Sequence, residues 1–323
     1  MRSTETGRCS YCDSEGVSIV SPSQLGEYFE LLINAYEPNR DGKPLVKWFR
    51  EDWGLFEHQR MGDTLARDLL VDILEDGEIV HQPFIPAPDL SGDRLAQWEQ
   101  LRGELMYRNR FFPGVNIDLD RLQFLLSQLT IDGNEIPNVW HRARIQTSDM
   151  PFLIGDMGAP PKRVASHGRA NPAGIPYLYL GSTPETAVCE IRPHTGETAC
   201  VADFRTPDGL TLVDLRRPKK MVSPFLLEDA QSITRMRSDL PFLERLGDEL
   251  TRPVVPQSAA IDYTPSQYVC EFIKKCGYHG VVYRSSVSNG INLALFDPTS
   301  AQPGAVTRYR VARVSVDVTT EGV

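Results

Sequence analysis

The strongest constraint on the fold is a change of pattern at about residues 131–138, where the segment IDGNEIPN combines glycine, proline and asparagine. Before this segment, apolar residues recur every three to four positions, which is the period of amphipathic helices. After it, short runs of β-branched and aromatic residues alternate with turn signals, as strands do. We therefore predict a domain boundary here, with a helical domain over residues 1–137 and an α+β domain over residues 138–323.

Four helices are predicted before the boundary. An apolar stripe runs from Leu25 to Tyr36, and a second follows Asp63. The stretch HQPFIPAPDLSGD is predicted as a connector, because each proline lacks a backbone donor. The run DRLAQWEQLRGELMYRNRFF indicates a third helix that ends at Pro113, and Asp118 is predicted to cap a fourth.

After the boundary, strands and helices follow one another in irregular order, which favours an α+β domain with a small mixed sheet over a doubly wound fold. The segments Ser182–Glu185 and Thr264–Gln267 are predicted as capping boxes that open helices. Neither G-x-G-x-x-G nor G-x-x-x-x-G-K-[ST] occurs, so a dinucleotide fold of the Rossmann kind and a P-loop are not supported.

Charge and hydropathy narrow the class of protein. The 34 basic and 43 acidic side chains leave a formal net charge of -9, which disfavours general nucleic-acid binding. No apolar run approaches the roughly 20 residues of a membrane-spanning helix. The first twelve residues contain no apolar stretch of the signal-peptide kind. We therefore expect a cytoplasmic protein with a small-molecule substrate.

The six cysteines do not form the framework of a disulfide-rich domain. Cys9 and Cys12 make a single CxxC, and a closed structural zinc site usually needs four cysteine or histidine ligands. Two interpretations stay open: half of a zinc knuckle completed by a distant pair, or two free thiols near the chain terminus.

The stretch HGRANPAGIPYLYLGSTPETAVCEIRP, residues 167–193, carries the most chemical information. Its glycines and prolines predict a tight loop, then a strand, a turn and a short helix. Arg169 falls in the loop, Tyr179 on the strand and Glu190 near the end of the helix. Because Glu190 adjoins the apolar face of that helix, its carboxylate must either find a partner or face a pocket.

This arrangement resembles the RES domain, a family named for its Arg, Glu and Ser. The loop Gly168-Arg169-Ala170-Asn171 resembles the family's G-R-x-N loop, with Tyr179 ten residues after Arg169 and Glu190 eleven residues further on. These segments occur in the order and with the spacing that the family shows.

Two further segments support the resemblance, which covers about residues 138–315. The family's serine falls in GVVYRSSVSNGINLALFDP, where Ser285 matches best, Ser286 is the alternative and Asn292 opens the next strand. The segment WHRARI, with Arg142 and Arg144, resembles the first strand of that domain.

The first 130 or so residues resemble the helical, HEPN-like region that precedes some RES domains, including the CxYC beginning. The R-x(4–6)-H motif of HEPN ribonucleases is absent from residues 1–137. The resemblance therefore implies a structural or regulatory role for this part rather than nuclease activity.

The resemblance implies that the chain consumes NAD. RES domains are similar to ADP-ribosyltransferases, and they cleave the bond between nicotinamide and ribose, with water, phosphate or a protein as acceptor. Many are toxins that a protein antitoxin holds in check. The implied function is an NAD glycohydrolase or phosphorylase that depletes NAD. The alternatives are a mono-ADP-ribosyltransferase that modifies a target protein, and a non-catalytic, zinc-assisted module that binds nucleic acid or protein.

The chemistry of NAD cleavage fits these residues. Nicotinamide leaves as a neutral base, so the acid of ordinary glycoside hydrolysis is not needed. Glu190 would stabilise the oxocarbenium-like ribose and bind its 2-hydroxyl, and Arg169 would bind the diphosphate. Tyr179 would stack on the nicotinamide or its ribose, and Ser285 would position the ribose or Glu190.

The other candidates are expected to bind substrate. They are Arg142, as a second phosphate contact, with Asn171, Ser286 and Asn292. His167 is a candidate general base for the incoming nucleophile, although a histidine beside glycines in a loop is more often a structural donor.

Overall fold

The computed structural model describes residues 5–89, 92–315, 318 and 320. The chain divides into two compact units. The first is Met1–Ala96 with Lys219–Leu243, and the second is Gln97–Pro218 with Glu244–Val323. Both units take sequence from either side of residue 138, and the two predicted domains stay a prediction.

The two longest helices given below are α8, with 22 residues, and α4, with 14 residues. They are α1 Gly26–Ile33, α2 Leu45–Trp53, α3 Asp63–Leu74, α4 Arg94–Tyr107, α5 Leu119–Gln128, α6 Pro184–Glu190, α7 Pro218–Met221, α8 Ala230–Thr251, α9 Ala259–Asp262 and α10 Thr264–Lys275. The strands are β1 Glu5–Gly7, β2 Val17–Ile19, β3 Tyr36–Pro44, β4 Pro83–Pro86, β5 Thr130–Asp132, β6 Val139–Ile145, β7 Leu178–Gly181, β8 Thr198–Arg205, β9 Thr211–Asp214, β10 Gly280–Arg284, β11 Ile291–Leu295 and β12 Gln302–Arg310.

The first unit contains the predicted helices α1 and α3, whose apolar stripes bury Phe29, Leu32 and Leu70. The proline-rich stretch is more than the predicted connector, because it contains β4, which pairs antiparallel with β3. A two-stranded sheet accommodates these prolines, since each strand has one edge that needs no ladder hydrogen bond.

The second unit is built on an eight-stranded mixed sheet, which confirms the predicted α+β class but is larger than the small sheet predicted. Its strand order is β12-β8-β6-β7-β11-β10-β9-β5. The pair β9–β10 is parallel, and the other pairs are antiparallel. The punctuating segment at residues 131–138 contributes to this sheet, because it contains most of β5, which pairs with β9.

One row of directly paired residues crosses five strands of this sheet. It runs from Asp203 on β8 through His141 on β6, Gly181 on β7 and Asn292 on β11 to Tyr283 on β10. Directly paired residues point to the same face of a sheet. The row therefore places three polar side chains and a tyrosine on one face.

Helix α6 packs on this face. Gly181 allows the close approach, because a Cβ at that position would lie 2.7 Å from the backbone nitrogen of Ala187. Ala187 packs with Ala143 and Val201 of the sheet in a small buried cluster. The last residue of the helix, Glu190, is thereby held above the polar row.

Neither of the two predicted capping boxes forms as the sequence pattern indicates. Thr183, not Ser182, is the N-cap of α6, because its side chain accepts a hydrogen bond from the Thr186 backbone N–H. Pro184 then occupies the first turn, where its missing N–H costs nothing. No side-chain cap opens α10, whose Ser266 and Gln267 make other contacts. The predicted cap of α5 is confirmed, since Asp118 accepts from the Arg121 N–H.

Within the described ranges, no helix combines the length and the apolar character that crossing a membrane requires.

Candidate active site

A cleft of about 480 Å³ on this face of the sheet brings the predicted residues together. The predicted residues that line it are Arg142, Arg169, Tyr179, Glu190, Ser286 and Asn292, with His167 beside them. Ser285 and Asn171 lie behind the lining, where both are buried. All of these residues belong to the second unit.

Glu190 forms the centre of what we call the carboxylate wall, which comprises Glu190, Ser285 and Asn292. Its Oε1 accepts hydrogen bonds from Ser285 Oγ at 2.7 Å and from Asn292 Nδ2 at 2.6 Å. Such bonds to a carboxylate are stronger than bonds between neutral groups. In the described part of the chain Oε2 has no hydrogen-bond partner. One oxygen of Glu190 is thus anchored, and the other is left for a ligand.

The two candidate serines have different partners. Ser285 is 8% exposed and donates to Glu190, while its own oxygen accepts from the Val287 N–H at 3.2 Å. Ser286 Oγ instead accepts from Arg169 Nη2 at 3.3 Å. The serine that touches the carboxylate is therefore Ser285, as the resemblance favoured.

Arg169 lines the cleft from what we call the arginine loop, Gly168–Asn171. Its Nη1 donates to the Arg252 carbonyl at 2.7 Å, and its guanidinium lies 5.2 Å from the ring centre of Tyr263. The aromatic face attracts the cation and limits its rotation. The arginine thus has a fixed position while it still lines the cleft.

The hydroxyl of Tyr179 holds the arginine loop. It accepts from the backbone N–H groups of Ala170 at 2.9 Å and Asn171 at 3.1 Å, and it donates to Asn171 Oδ1 at 2.7 Å. Burial raises the pKa of Tyr179, so the hydroxyl stays protonated and able to donate. Gly168 is needed at this contact, because a Cβ there would lie 2.6 Å from the Tyr179 hydroxyl.

Helix α10 also holds the arginine loop. Ser266 Oγ donates to the Arg169 carbonyl at 2.6 Å, and Gln267 Nε2 donates to the Gly168 carbonyl at 2.8 Å. Both side chains are buried. The segment TPSQ was predicted to cap its own helix, and it is used instead to position the arginine loop.

Asn171 is placed inside the loop rather than on the cleft wall. It is 3% exposed, and its Nδ2 donates to the carbonyls of Ser166 at 3.0 Å and Pro172 at 2.9 Å. Its oxygen accepts from Tyr179. The amide is thus fully occupied by contacts that shape the loop.

Arg142 contacts the strand that carries Tyr179. Its Nη1 donates to the Tyr179 carbonyl at 3.0 Å. Burial lowers the pKa of Arg142 to about 10, with nearby Arg144 as a smaller cause, so the guanidinium remains charged at neutral pH. Arg142 thus lines the cleft from β6.

Several lining residues were not identified from the sequence. They are His141, Arg192, Tyr263 and Tyr283. Arg192 lies two residues after the end of the helix and has a φ of 48°, a left-handed conformation that is uncommon outside glycine. The segment WHRARI contains His141, but only the strand register shows that it shares a face with Asn292.

The CxxC segment lies in the first unit. Cys12 Sγ is 3.3 Å from Ser14 Oγ, and this bond contributes most to lowering the pKa of Cys12. Ser14 Oγ lies 3.3 Å from His58 Nε2. Across the residues that the structure describes, no three or more histidine, cysteine or acidic side chains gather as a metal site would need. The zinc interpretation stays a prediction.

Three comparisons relate the chain to known proteins. The family model of the RES domain matches residues 139–316, more than half of the chain. The comparison with curated proteins finds no significant match. Among solved structures, the chain is similar to the crystal structure of the M. tuberculosis MbcT-MbcA toxin-antitoxin complex, with 15% identity and a TM-score of 0.36, over 60% of this chain and 96% of that chain. A similarity this low carries no argument about function.

Proposed function

The chain belongs to the RES domain family, and from that premise we propose that it cleaves NAD and releases nicotinamide. The proposal places the ribose of NAD against the carboxylate wall and its diphosphate against the arginine loop. It makes the cleft the catalytic centre of the second unit.

The observation that carries this proposal is the hydrogen-bonded state of Glu190. As the bond between ribose C1′ and nicotinamide breaks, its electron pair goes to the pyridinium nitrogen, and the base leaves neutral. Positive charge then develops on the ribose. A carboxylate with Oε1 anchored by Ser285 and Asn292 faces that charge without reorganising, which is how a preorganised site lowers a barrier.

The rest of the cleft supports an anionic dinucleotide. Arg169 is held by a carbonyl, a serine and an aromatic ring, and it offers a fixed cation to a phosphate. The rings of Tyr179 and Tyr263 also line the cleft and provide flat apolar surface for the bases of the dinucleotide.

We extend the proposal to a role in the cell. As the resemblance to the family implies, the chain would act as a toxin that depletes NAD until a protein partner restrains it. Expression of the chain should then lower cellular NAD, and substitution of Glu190 should remove that effect.

Incubation of the purified chain with NAD tests the activity. We expect stoichiometric release of nicotinamide, and mass spectrometry of the other product will distinguish free ADP-ribose, its phosphate ester and a protein adduct. A protein adduct would move the assignment to a mono-ADP-ribosyltransferase. If nicotinamide is not released above the spontaneous rate, the chain is not an NAD-cleaving enzyme.

A further inference from the structure

One residue of the cleft lining, His141, forms an ionisable pair with Asp203 that the proposed function leaves unused. His141 Nδ1 lies 3.0 Å from Asp203 Oδ1. The His141 side chain is 15% exposed and lines the cleft, while the carboxylate of Asp203 is 48% exposed. The pair therefore joins a cleft-lining imidazole to an acid that solvent reaches.

The strand register fixes this pair relative to the carboxylate wall. His141 is paired directly with Asp203 on one side and with Gly181 on the other, and Gly181 is paired with Asn292. Neighbouring strands are about 4.8 Å apart, so the backbones of His141 and Asn292 are separated by roughly 10 Å. His141 and Asn292 both line the cleft, so the imidazole and the residue that anchors Glu190 border the same space.

The contact with Asp203 also sets the chemistry of the imidazole. When Nδ1 carries the hydrogen and donates it to the carboxylate, the lone pair of Nε2 is left to accept a proton. Nε2 has no hydrogen-bond partner in the part of the chain that the structure describes. A base held by a third group in this way is the arrangement found in activated nucleophile systems.

A base is needed because Glu190 is committed to another task. Its Oε1 already accepts two hydrogen bonds, and its charge faces the developing sugar cation. His167 is the other imidazole in the cleft, and its nearest described aromatic neighbour is Tyr263, with the ring centres 6.5 Å apart. Among described residues no carboxylate bonds to His167, so His141 is the better oriented of the two.

We propose that His141, positioned by Asp203, is the general base that activates a water molecule, so that this site hydrolyses NAD. The inference rests on the proposed function. The water oxygen forms a bond to C1′, its proton passes to His141 Nε2, and the electron pair of the breaking bond stays with nicotinamide. The products are ADP-ribose and nicotinamide, and His141 then releases its proton to solvent.

Rescue by an anionic nucleophile tests this role. His141→Gln should lower kcat by about 100-fold, the usual contribution of a general base, with KM nearly unchanged. Azide attacks without losing a proton, so it should restore nicotinamide release by the variant and yield ADP-ribosyl azide. Asp203→Asn should give a smaller loss, about tenfold, with the same rescue.

The controls separate this role from a structural one. His194→Gln changes an exposed histidine outside the cleft and should keep the wild-type rate. Glu190→Gln should not respond to azide, because it loses cation stabilisation. A His141→Gln variant with the wild-type rate, or with a loss that azide does not restore, overturns the proposal. If His141→Gln fails to fold, the half-exposed Asp203→Asn decides by the same criterion.

Failure of this inference is distinguishable from failure of the proposed function. Wild-type protein that releases no nicotinamide contradicts the NAD-cleaving activity itself. Wild-type protein that is active, beside a fully active His141→Gln variant, contradicts the role of His141 alone.

Discussion

The carboxylate wall and the arginine loop are built in different ways. On the carboxylate wall, Ser285 and Asn292 donate directly to Oε1 of Glu190. This carboxylate is the group proposed to stabilise the ribose cation. On the arginine loop, Tyr179, Ser266 and Gln267 bond to backbone groups and to Asn171, while the guanidinium of Arg169 stays on the lining. The carboxylate wall is therefore expected to control the rate of cleavage, and the arginine loop is expected to control the binding of NAD.

Removal of the Glu190 carboxylate should have the largest effect. Glu190→Ala should lower kcat by about 1,000-fold, because no other described carboxylate lines the cleft. Steady-state release of nicotinamide measures the loss, and an unchanged melting temperature shows that the fold persists. A Glu190→Ala variant whose kcat lies within tenfold of the wild-type value would contradict the role of the carboxylate wall in the rate of cleavage.

Loss of a hydrogen-bond donor of the carboxylate wall should have the second-largest effect. Ser285→Ala should lower kcat by about 10- to 100-fold with a small change in KM, because Oε1 loses one of its two anchors. Ser286→Ala is the matched control, since its hydroxyl contacts Arg169 instead. An equal effect of both substitutions on kcat would show that Ser285 and Ser286 do not have separate roles, one at Glu190 and the other at Arg169.

Arg169→Ala should act mainly on affinity. A hydrogen bond to a charged group contributes about 1.5–3 kcal/mol, which corresponds to roughly 10- to 100-fold in KM. The effect should be absent for nicotinamide riboside, which carries no phosphate. If the riboside loses as much as NAD, the arginine does not bind the diphosphate.

Gln267→Leu should have the smallest effect, a rise in KM of up to about tenfold with kcat largely retained. The substitution removes the donor to the Gly168 carbonyl without touching the cleft lining. Gln267→Glu is a useful companion, because its ionised carboxylate cannot donate to that carbonyl. A fall in kcat without a change in KM would indicate that the loop controls chemistry as well.

Local patterns were enough to predict one member of the carboxylate wall, Glu190. The helix that carries Glu190 lies in one continuous stretch with its cap and its glycine turn, and residues close in sequence determine it. The family resemblance added Ser285 and Asn292, which lie about 100 residues further on. The structure joins all three at Oε1.

The contacts of the arginine loop could not be predicted in the same way. Arg169 meets the carbonyl of Arg252 and the ring of Tyr263, and neither has a local signal in the sequence. The segment TPSQ has the pattern of a cap, and only the position of α10 beside the loop shows its other use. Likewise, His141 and Asp203 are 62 positions apart, and the order of strands brings them together.

The most direct measurement pairs NAD binding with nicotinamide release in Glu190→Gln. The amide oxygen can keep the hydrogen bonds from Ser285 and Asn292, so the substitution removes mainly the negative charge. The account predicts a dissociation constant for NAD within about threefold of wild type, together with a loss of release of at least about 100-fold. A variant that binds NAD and still releases nicotinamide at the wild-type rate would contradict it.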